Sequence, residues 1–431
     1  MTVISHFDIV DKARHIIASE TDRLRNQLEK VCLDIHSHPE LCYEEIFAHD
    51  TICNFLEANG FPVTRHAYGI PTCFEAEIGA GDHFIIYCAE YDALPGIGHA
   101  CGHNLIALSS ITAFVTAAKV ANDLGLIGRI RILGTPAEEG GGGKIRLLDV
   151  GAFEGAAAAL MSHPTSMGRI KEVEGLAGAA GLVTVAASKL TADFFGKSAH
   201  AGATPWQGRN ALDAAVGSYV NISMLRQQIK PAERIHGVIT NGGEAPNIIP
   251  EKTSMVYSVR GRTADECSDL IRRVTACFEA AATATACKVE TEVPFIYKDQ
   301  ILNSVLCETF THEMALLGDE FLPMAKEAVS ASTDMGMYTP PEVCHRPILT
   351  ALSLSLGTGN VSHVVPSFHC SYGIRSGDAS NHTPGFTAAA GTPDAIDRAI
   401  RVGRGLAMLG IRVLIDGDLR QRVSMAFKKA T

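Results

Sequence analysis

The chain has 431 residues, longer than one compact core usually reaches, so two domains are the default expectation. Hydrophobic residues at 46%, charged residues at 19% and 40 glycines describe an ordinary globular enzyme rather than a disordered or fibrous chain. A formal net charge of -10 with no run of Lys or Arg argues against nucleic acid and acidic membrane surfaces as partners.

Met1 to Asp8 lack the basic start, apolar stretch and small-residue cleavage site of a secretory signal. No uninterrupted apolar run is long enough to span a bilayer, so no membrane partner is expected. The 12 cysteines form no compact framework, which suits reduced thiols and a cytoplasmic location. Cys32, Cys53, Cys73 and Cys88 fall in apolar-periodic segments, as small core residues do.

In chain order, apolar residues at helical spacing predict helices over 8–30 and 40–58, the second stopped by Asn59-Gly60. β-rich runs follow at 73–78, 83–89 and 129–133, with a helix over 104–122 between the last two. That alternation predicts an α/β domain with a mixed sheet and functional residues at strand ends. From Leu182 the pattern becomes strand 182–188, helix 207–227, strand 236–240, strand 253–260, helix 264–282 and strand 287–294, the βαββαβ order of a ferredoxin-like unit. The expected architecture is a discontinuous catalytic domain, 1–181 and 297–431, with an α+β lid inserted over 182–296. Near the C-terminus, Thr392-Pro393 is a helix start, and a further helix is expected near 418–428.

Three fragments carry chemistry. His99-Ala100-Cys101-Gly102-His103 places a thiol and imidazoles just past an apolar strand, and one cation can face both Cys101 and His103. Pro136-Ala137-Glu138-Glu139-Gly140 follows the strand ending near Leu133 and precedes further glycines. Adjacent carboxylates point in different directions, so one can bind a metal while the other acts as general base on an activated water. His163 ends the apolar run 156–161 and fits as a further ligand. Taken singly, each has a bland alternative: a buried free thiol, solvated loop charges, a structural histidine.

The run Glu90-Tyr91-Asp92-Ala93-Leu94-Pro95-Gly96-Ile97-Gly98-His99-Ala100-Cys101-Gly102-His103-Asn104 resembles the aminoacylase and carboxypeptidase type of co-catalytic metallopeptidases. It is most similar to the amidohydrolase subfamily of auxin-conjugate, hippurate and aminobenzoyl-glutamate hydrolases, in the branch of the β-alanyl-lysine dipeptidases. The resemblance implies metal ligands at Cys101, His103, Glu139, His163 and His382, with Glu138 as the base and Asp92 orienting a ligating imidazole. It implies two divalent cations per subunit, zinc by default with manganese or cobalt as alternatives. In Gly196-Lys197-Ser198-Ala199-His200-Ala201-Gly202, His200 would reach the active site of a second subunit and stabilise an oxyanion, which makes the lid a dimerisation domain and the protein a homodimer. Asn247 and Arg260 match positions near the substrate, where an arginine fork suits a carboxylate. Asn104 stands where many of the subfamily have aspartate.

One departure interrupts the pattern. Ser332-Thr333-Asp334-Met335-Gly336 is separated from Asn360-Val361-Ser362-His363-Val364-Val365-Pro366 by residues 337–359, either a surface excursion that shapes substrate entry or a retained intron. The expected function is metal-dependent hydrolysis of an amide bond in a dipeptide or N-acyl amino acid. The alternatives are amide-bond formation or hydrolysis of a specialised metabolite in a biosynthetic pathway, and a non-catalytic metal-binding scaffold or regulatory protein.

Overall fold

The computed structural model describes residues 6–166, 171–325 and 361–431. The insert 337–359 lies outside them. The described chain divides into two compact units, one of residues 6–183, 300–325 and 361–431, the other Thr184–Asp299. The fold is α/β, a mixed-sheet catalytic domain together with a ferredoxin-like lid.

The first unit runs α1 (His6–Ser37), α2 (Ile46–Ala58), β1 (Val63–Arg65), β2 (Phe74–Ala80), β3 (Phe84–Ala89), α3 (His103–Leu124), β4 (Gly128–Gly134), α4 (Gly143–Asp149), β5 (Ala158–Ser166) and β6 (Gly178–Ala179). In the second unit are β7 (Ala186–Phe195), α5 (Ala211–Leu225), β8 (Arg234–Asn241), β9 (Lys252–Gly261), α6 (Ala264–Ala284), β10 (Lys288–Glu292) and β11 (Ile296–Tyr297). The first unit then resumes with α7 (Ser304–Leu316), β12 (Phe321–Leu322), β13 (Ser367–Ile374), α8 (Pro384–Ala390), α9 (Pro393–Ile415) and α10 (Gly417–Ala430).

The large sheet has the order β1-β2-β4-β3-β5-β13-β6-β12. Its centre is parallel: β3 pairs with β4 and β5, and β5 pairs with β13, all in one direction. β2 joins β4 antiparallel, which makes the sheet mixed. Helices cover the central strands, whose residues are therefore buried and apolar in unbroken runs, as in Phe84-Ile85-Ile86-Tyr87-Cys88-Ala89. By length and composition α3, expected as a helix over 104–122, is apolar enough to cross a membrane, contrary to the expectation of no such run, yet 94% of its most apolar stretch is buried. It packs against α1, α9, β3 and β5, as the core helix of this unit. Cys32, Cys53, Cys73 and Cys88 are all buried in this unit.

The second unit has the sheet order β10-β7-β9-β8, antiparallel throughout, with α5 and α6 on it. Its own core gathers Leu190, Phe194, Tyr257, Val274 and Phe278. Thr263 caps α6 by accepting the Glu266 amide, and Asn210 caps α5 by accepting that of Leu212.

Several local expectations differ from the structure: the helix expected from 40 begins only at Ile46, and the strand expected over 182–188 runs Ala186–Phe195. The run expected to end near Met161 continues as β5 to Ser166, so His163 sits within a strand and not beyond one. β13 supplies the missing ladder along 159–166, with Ser371 opposite His163, and no sequence-local signal announces so distant a partner. α7 and β13 themselves were not anticipated. Ser-Phe-His-Cys-Ser-Tyr-Gly-Ile is buried at every position, but its hydroxyls and imidazole hide the strand pattern.

Candidate metal centre

β3, β4, β5 and β13 are parallel, so their C-terminal ends share one edge of the sheet, the edge at which α/β folds place ligands. Glu90 and Asp92 leave the end of β3, Glu138 and Glu139 follow the end of β4, and His163 lies near the end of β5. Cys101 precedes α3, whose first residue is His103, and His382 follows β13. Gly102, between two of these groups, has a φ of +82°, and a Cβ there would meet Pro164 Cγ at 2.5 Å, so only glycine brings Cys101 so close to β5.

Five donors converge. Cys101 Sγ lies 3.3 Å from His163 Nε2 and 3.4 Å from His382 Nε2. Glu139 Oε1 is 3.5 Å from His382 Nε2 and 3.9 Å from His103 Nε2. Two groups of three share the thiol, Cys101 with His103 and His163, and Cys101 with Glu139 and His382, each with its atoms within 4.8 Å of one another. Ligand atoms about 2.0–2.3 Å from a tetrahedral zinc stand roughly 3.5 Å apart, so the spacing suits a cation between them.

The imidazoles are also turned the right way. His103 Nδ1 donates to Asp92 Oδ1 at 3.0 Å, and His163 Nδ1 donates to the Pro164 carbonyl at 2.7 Å. A neutral ring at either position therefore offers its Nε2 lone pair to the cluster; at His103 burial opposes the charged ring but Asp92 and then Cys101 outweigh it and raise its pKa well above the ordinary range, so a metal there would replace the Nε2 proton. His103 Nε2 is buried and makes no hydrogen bond. Burial and then Glu139 push the Cys101 thiol well above its ordinary range, so a thiolate here needs a cation beside it. Burial, then the charges of His369 and His103, hold His163 well below the ordinary imidazole range, in the neutral form a ligand requires. A divalent metal fits this donor set.

Asp92 has a second task, since its Oδ2 accepts the Glu139 amide at 2.8 Å. Asp92→Asn is expected to lower metal affinity or turnover by about 10–100-fold, because an amide cannot hold both partners in the same way. Metal titration followed by activity at saturating metal separates the two losses.

Several participants were not anticipated from the sequence. Glu90 is buried with its Oε2 3.6 Å from His103 Nε2, and it forms a group with His103 and Glu138. Lys144, fully buried on the first turn of α4, makes an ion pair with the other Glu90 oxygen. It enters because Gly143 has no side chain: a Cβ there would overlap the Pro136 carbonyl oxygen at 1.7 Å. His369 packs its ring 5.9 Å from that of His163, and burial, then the Lys144 charge, lower its pKa to about 3. His99 is no ligand: it donates from Nε2 to the Ile35 carbonyl at 3.1 Å, and burial lowers its pKa to about 3. Asn104 donates to the Ala390 carbonyl at 2.9 Å, a structural bond between α3 and α8.

His200, Asn247 and Arg260 belong to the other unit. His200 and Asn247 are neighbours there, since the Ala201 amide donates to the Asn247 carbonyl at 3.0 Å and His200 bridges Ile248. His200 is exposed, and its Nδ1 accepts the amides of Gly202 and Ala203, so a neutral ring carries its proton on Nε2, ready to donate. Arg260 is near the end of β9 and largely buried.

A thiol, three imidazoles and a carboxylate gathered at the C-terminal ends of the sheet's parallel strands, with a second carboxylate adjoining, define a metal-dependent hydrolase. The chain belongs to the amidohydrolase branch of the M20 peptidase family and acts on amide bonds. Residues 181–286 match the peptidase dimerisation domain. The chain is 38% identical to the Xaa-Arg dipeptidase of Mus musculus over 95% of its own length and 91% of the relative's. It is 33% identical to a p-aminobenzoyl-glutamate hydrolase chain of Escherichia coli, over 63% of this chain and 58% of that one. The fold is shared with a dinuclear metal-binding M20 peptidase of Bacillus subtilis (TM-score 0.62, 19% identity, 91% of this chain and 99% of that chain). It is shared too with an aminobenzoyl-glutamate utilization protein of Klebsiella pneumoniae (TM-score 0.65, 16% identity, 93% and 99%).

Proposed function

We propose that this protein hydrolyses dipeptides whose C-terminal residue is basic, as a homodimer holding two divalent cations, zinc by default, in each subunit. The convergence of Cys101, His103, Glu139, His163 and His382 beside a spare carboxylate, Glu138, is the observation that carries the chemistry. The substrate class rests on the likeness to the Xaa-Arg dipeptidases of mouse and human, 38% and 36% identical over nine-tenths of their length.

Divalent cations held among those five residues would supply Lewis acidity, acidifying a water and polarising the scissile carbonyl. Glu138 removes the proton as the water oxygen bonds to the carbonyl carbon. The same carboxyl then delivers that proton to the amide nitrogen as the carbon–nitrogen bond breaks, and the new acid passes its remaining proton to the amine, which leaves a carboxylate and an ammonium group. Burial of Glu138 in the wall of the site keeps bulk water from competing for the proton. Asp92 holds the His103 ring and the Glu139 amide still throughout. His200 Nε2 is assigned to the oxyanion and Arg260 with Asn247 to the substrate carboxylate.

Support for a homodimer comes from the lid. One face of α5 exposes Val216, Tyr219, Val220 and Met224, and β8, at the edge of its sheet, exposes Val238 and Ile239. An apolar helix stripe and a strand edge open to pairing are each surfaces that associate. In solution the mass is expected at twice the 45.9 kDa of the chain. A fully active monomer by light scattering would remove both the dimer and the role of His200 across it.

The substrate class is tested by kcat/KM on β-alanyl-lysine and Xaa-Arg dipeptides against N-acetyl amino acids and p-aminobenzoyl-glutamate. Basic dipeptides are expected to lead by at least about tenfold, a discrimination of roughly 1.4 kcal/mol. A lead for the acyl amino acids would retain amide hydrolysis and reject the basic side chain.

A further inference from the structure

Glu138 and Glu139 are carried by a short connection between β4 and α4 in which Ala137 has a φ of 59°, the left-handed region that a residue with a Cβ seldom occupies. Such a conformation persists only where the surroundings impose it. Here the support comes from the turn before α2. Glu45, fully buried, accepts the Ala137 amide on Oε1 at 2.8 Å. Two residues earlier, the Tyr43 hydroxyl donates to the Gly141 carbonyl at 2.7 Å, at the far end of the same connection. A carboxylate is almost never fully buried unless its partners require it.

We propose that Glu45 is a positioning residue for the general base: by holding the Ala137 amide it fixes the left-handed peptide from which Glu138 is aimed, while Glu139 is held through its own amide by Asp92. The amide of Ala137 is anchored on Glu45 and that of Glu139 on Asp92 Oδ2, so Glu138 stands between two peptides each tied to a buried acceptor. Freed from Glu45, Ala137 relaxes toward negative φ, and the rotation of its peptide displaces Glu138 before it disturbs ligands held elsewhere. Displacements near 1 Å at a reacting group cost about 100-fold in rate. The proposal rests on the assignment of Glu138 as base.

The test compares Glu45→Met, which keeps the volume and loses the acceptor, with Glu45→Gln, which retains an acceptor oxygen. Glu45→Met is expected to lower kcat by about 10–100-fold with KM little changed and metal still bound, whereas Glu45→Gln recovers most of the rate. Combined with Glu138→Gln, Glu45→Met is expected to add no further loss, since both act through one group. If Glu45→Met does not fold, Glu45→Asp keeps a carboxyl group but falls short of the Ala137 amide, and it is expected to show the same fall in kcat. Wild-type turnover in Glu45→Met or Glu45→Asp, or a Glu45→Gln enzyme as slow as Glu45→Met, would overturn the proposal. Glu138→Gln assayed alone keeps the two questions apart: full activity there removes the base assignment, while the Met and Gln comparison still decides whether the Ala137 hydrogen bond sets the rate.

Discussion

Glu138→Gln is expected to bind metal and substrate much as the wild type does and to turn over about 10²–10⁴-fold more slowly, the range a positioned general base contributes. The side chain is nearly isosteric, so the wall of the site keeps its shape. What changes is proton capacity, because an amide neither takes a proton from water nor returns one to the leaving amine. Glu138 lies within the group formed with Glu90 and His103, and its Oε2 is 3.7 Å from His103 Nε2, so the substitution leaves Cys101, Glu139, His163 and His382 as they are. Steady-state kinetics with metal analysis of the same preparation checks this: a fall in kcat at constant metal content is the expected pattern, and a fall in metal content would reassign Glu138 as a ligand.

Removal of the metal is expected to abolish turnover and to lower the melting temperature, with both restored on adding back a divalent cation. A cation bound only by the folded chain stabilises it by about 4 kcal/mol when free metal is 1,000-fold above its Kd. The stabilisation has a local cause. Glu90, Asp92, Glu138 and Glu139 crowd one buried edge of the sheet, where Lys144 is a buried cation paired with Glu90. Lys144 and the His103 ring paired with Asp92 offset part of this charge, and without further positive charge the remainder repels in a region of weak screening. Thermal denaturation before and after chelation, and again after titration with zinc, manganese or cobalt, measures the effect and ranks the metals. An unchanged melting temperature on complete metal removal would contradict the placement of cations among these residues.

Much of the candidate site was legible because strands end where its residues cluster. The runs before Glu90 and after Arg129 are apolar and short, and the residues just past them, Asp92, Cys101, His103, Glu138 and Glu139, lie at one edge once the strands are parallel. The order of elements in the lid was also plain, since each strand and helix there has its own period and its own caps. What escaped depends on contacts between residues far apart in the chain. Glu45 and Ala137 are 92 positions apart and Glu90 and Lys144 are 54 apart, and neither pair forms a local pattern. Glu45 reads as a solvated acidic residue in a run of two, and Lys144 as the charge that ends a stretch of glycines. His163 was placed beyond a strand because the ladder that extends β5 comes from β13, some two hundred residues later. β13 itself was hidden by Ser, His and Cys side chains that are buried on both faces.

Mass-spectrometric turnover of an Xaa-Arg dipeptide in ¹⁸O-enriched water by the metal-loaded protein, with Glu138→Gln beside it, tests the assignment of a metal-dependent amide hydrolase most directly. The expected result is release of free arginine and one ¹⁸O atom in the carboxylate of the other product, with both lost in Glu138→Gln. Products without ¹⁸O, or turnover undiminished in Glu138→Gln, would contradict hydrolysis by a water that Glu138 deprotonates.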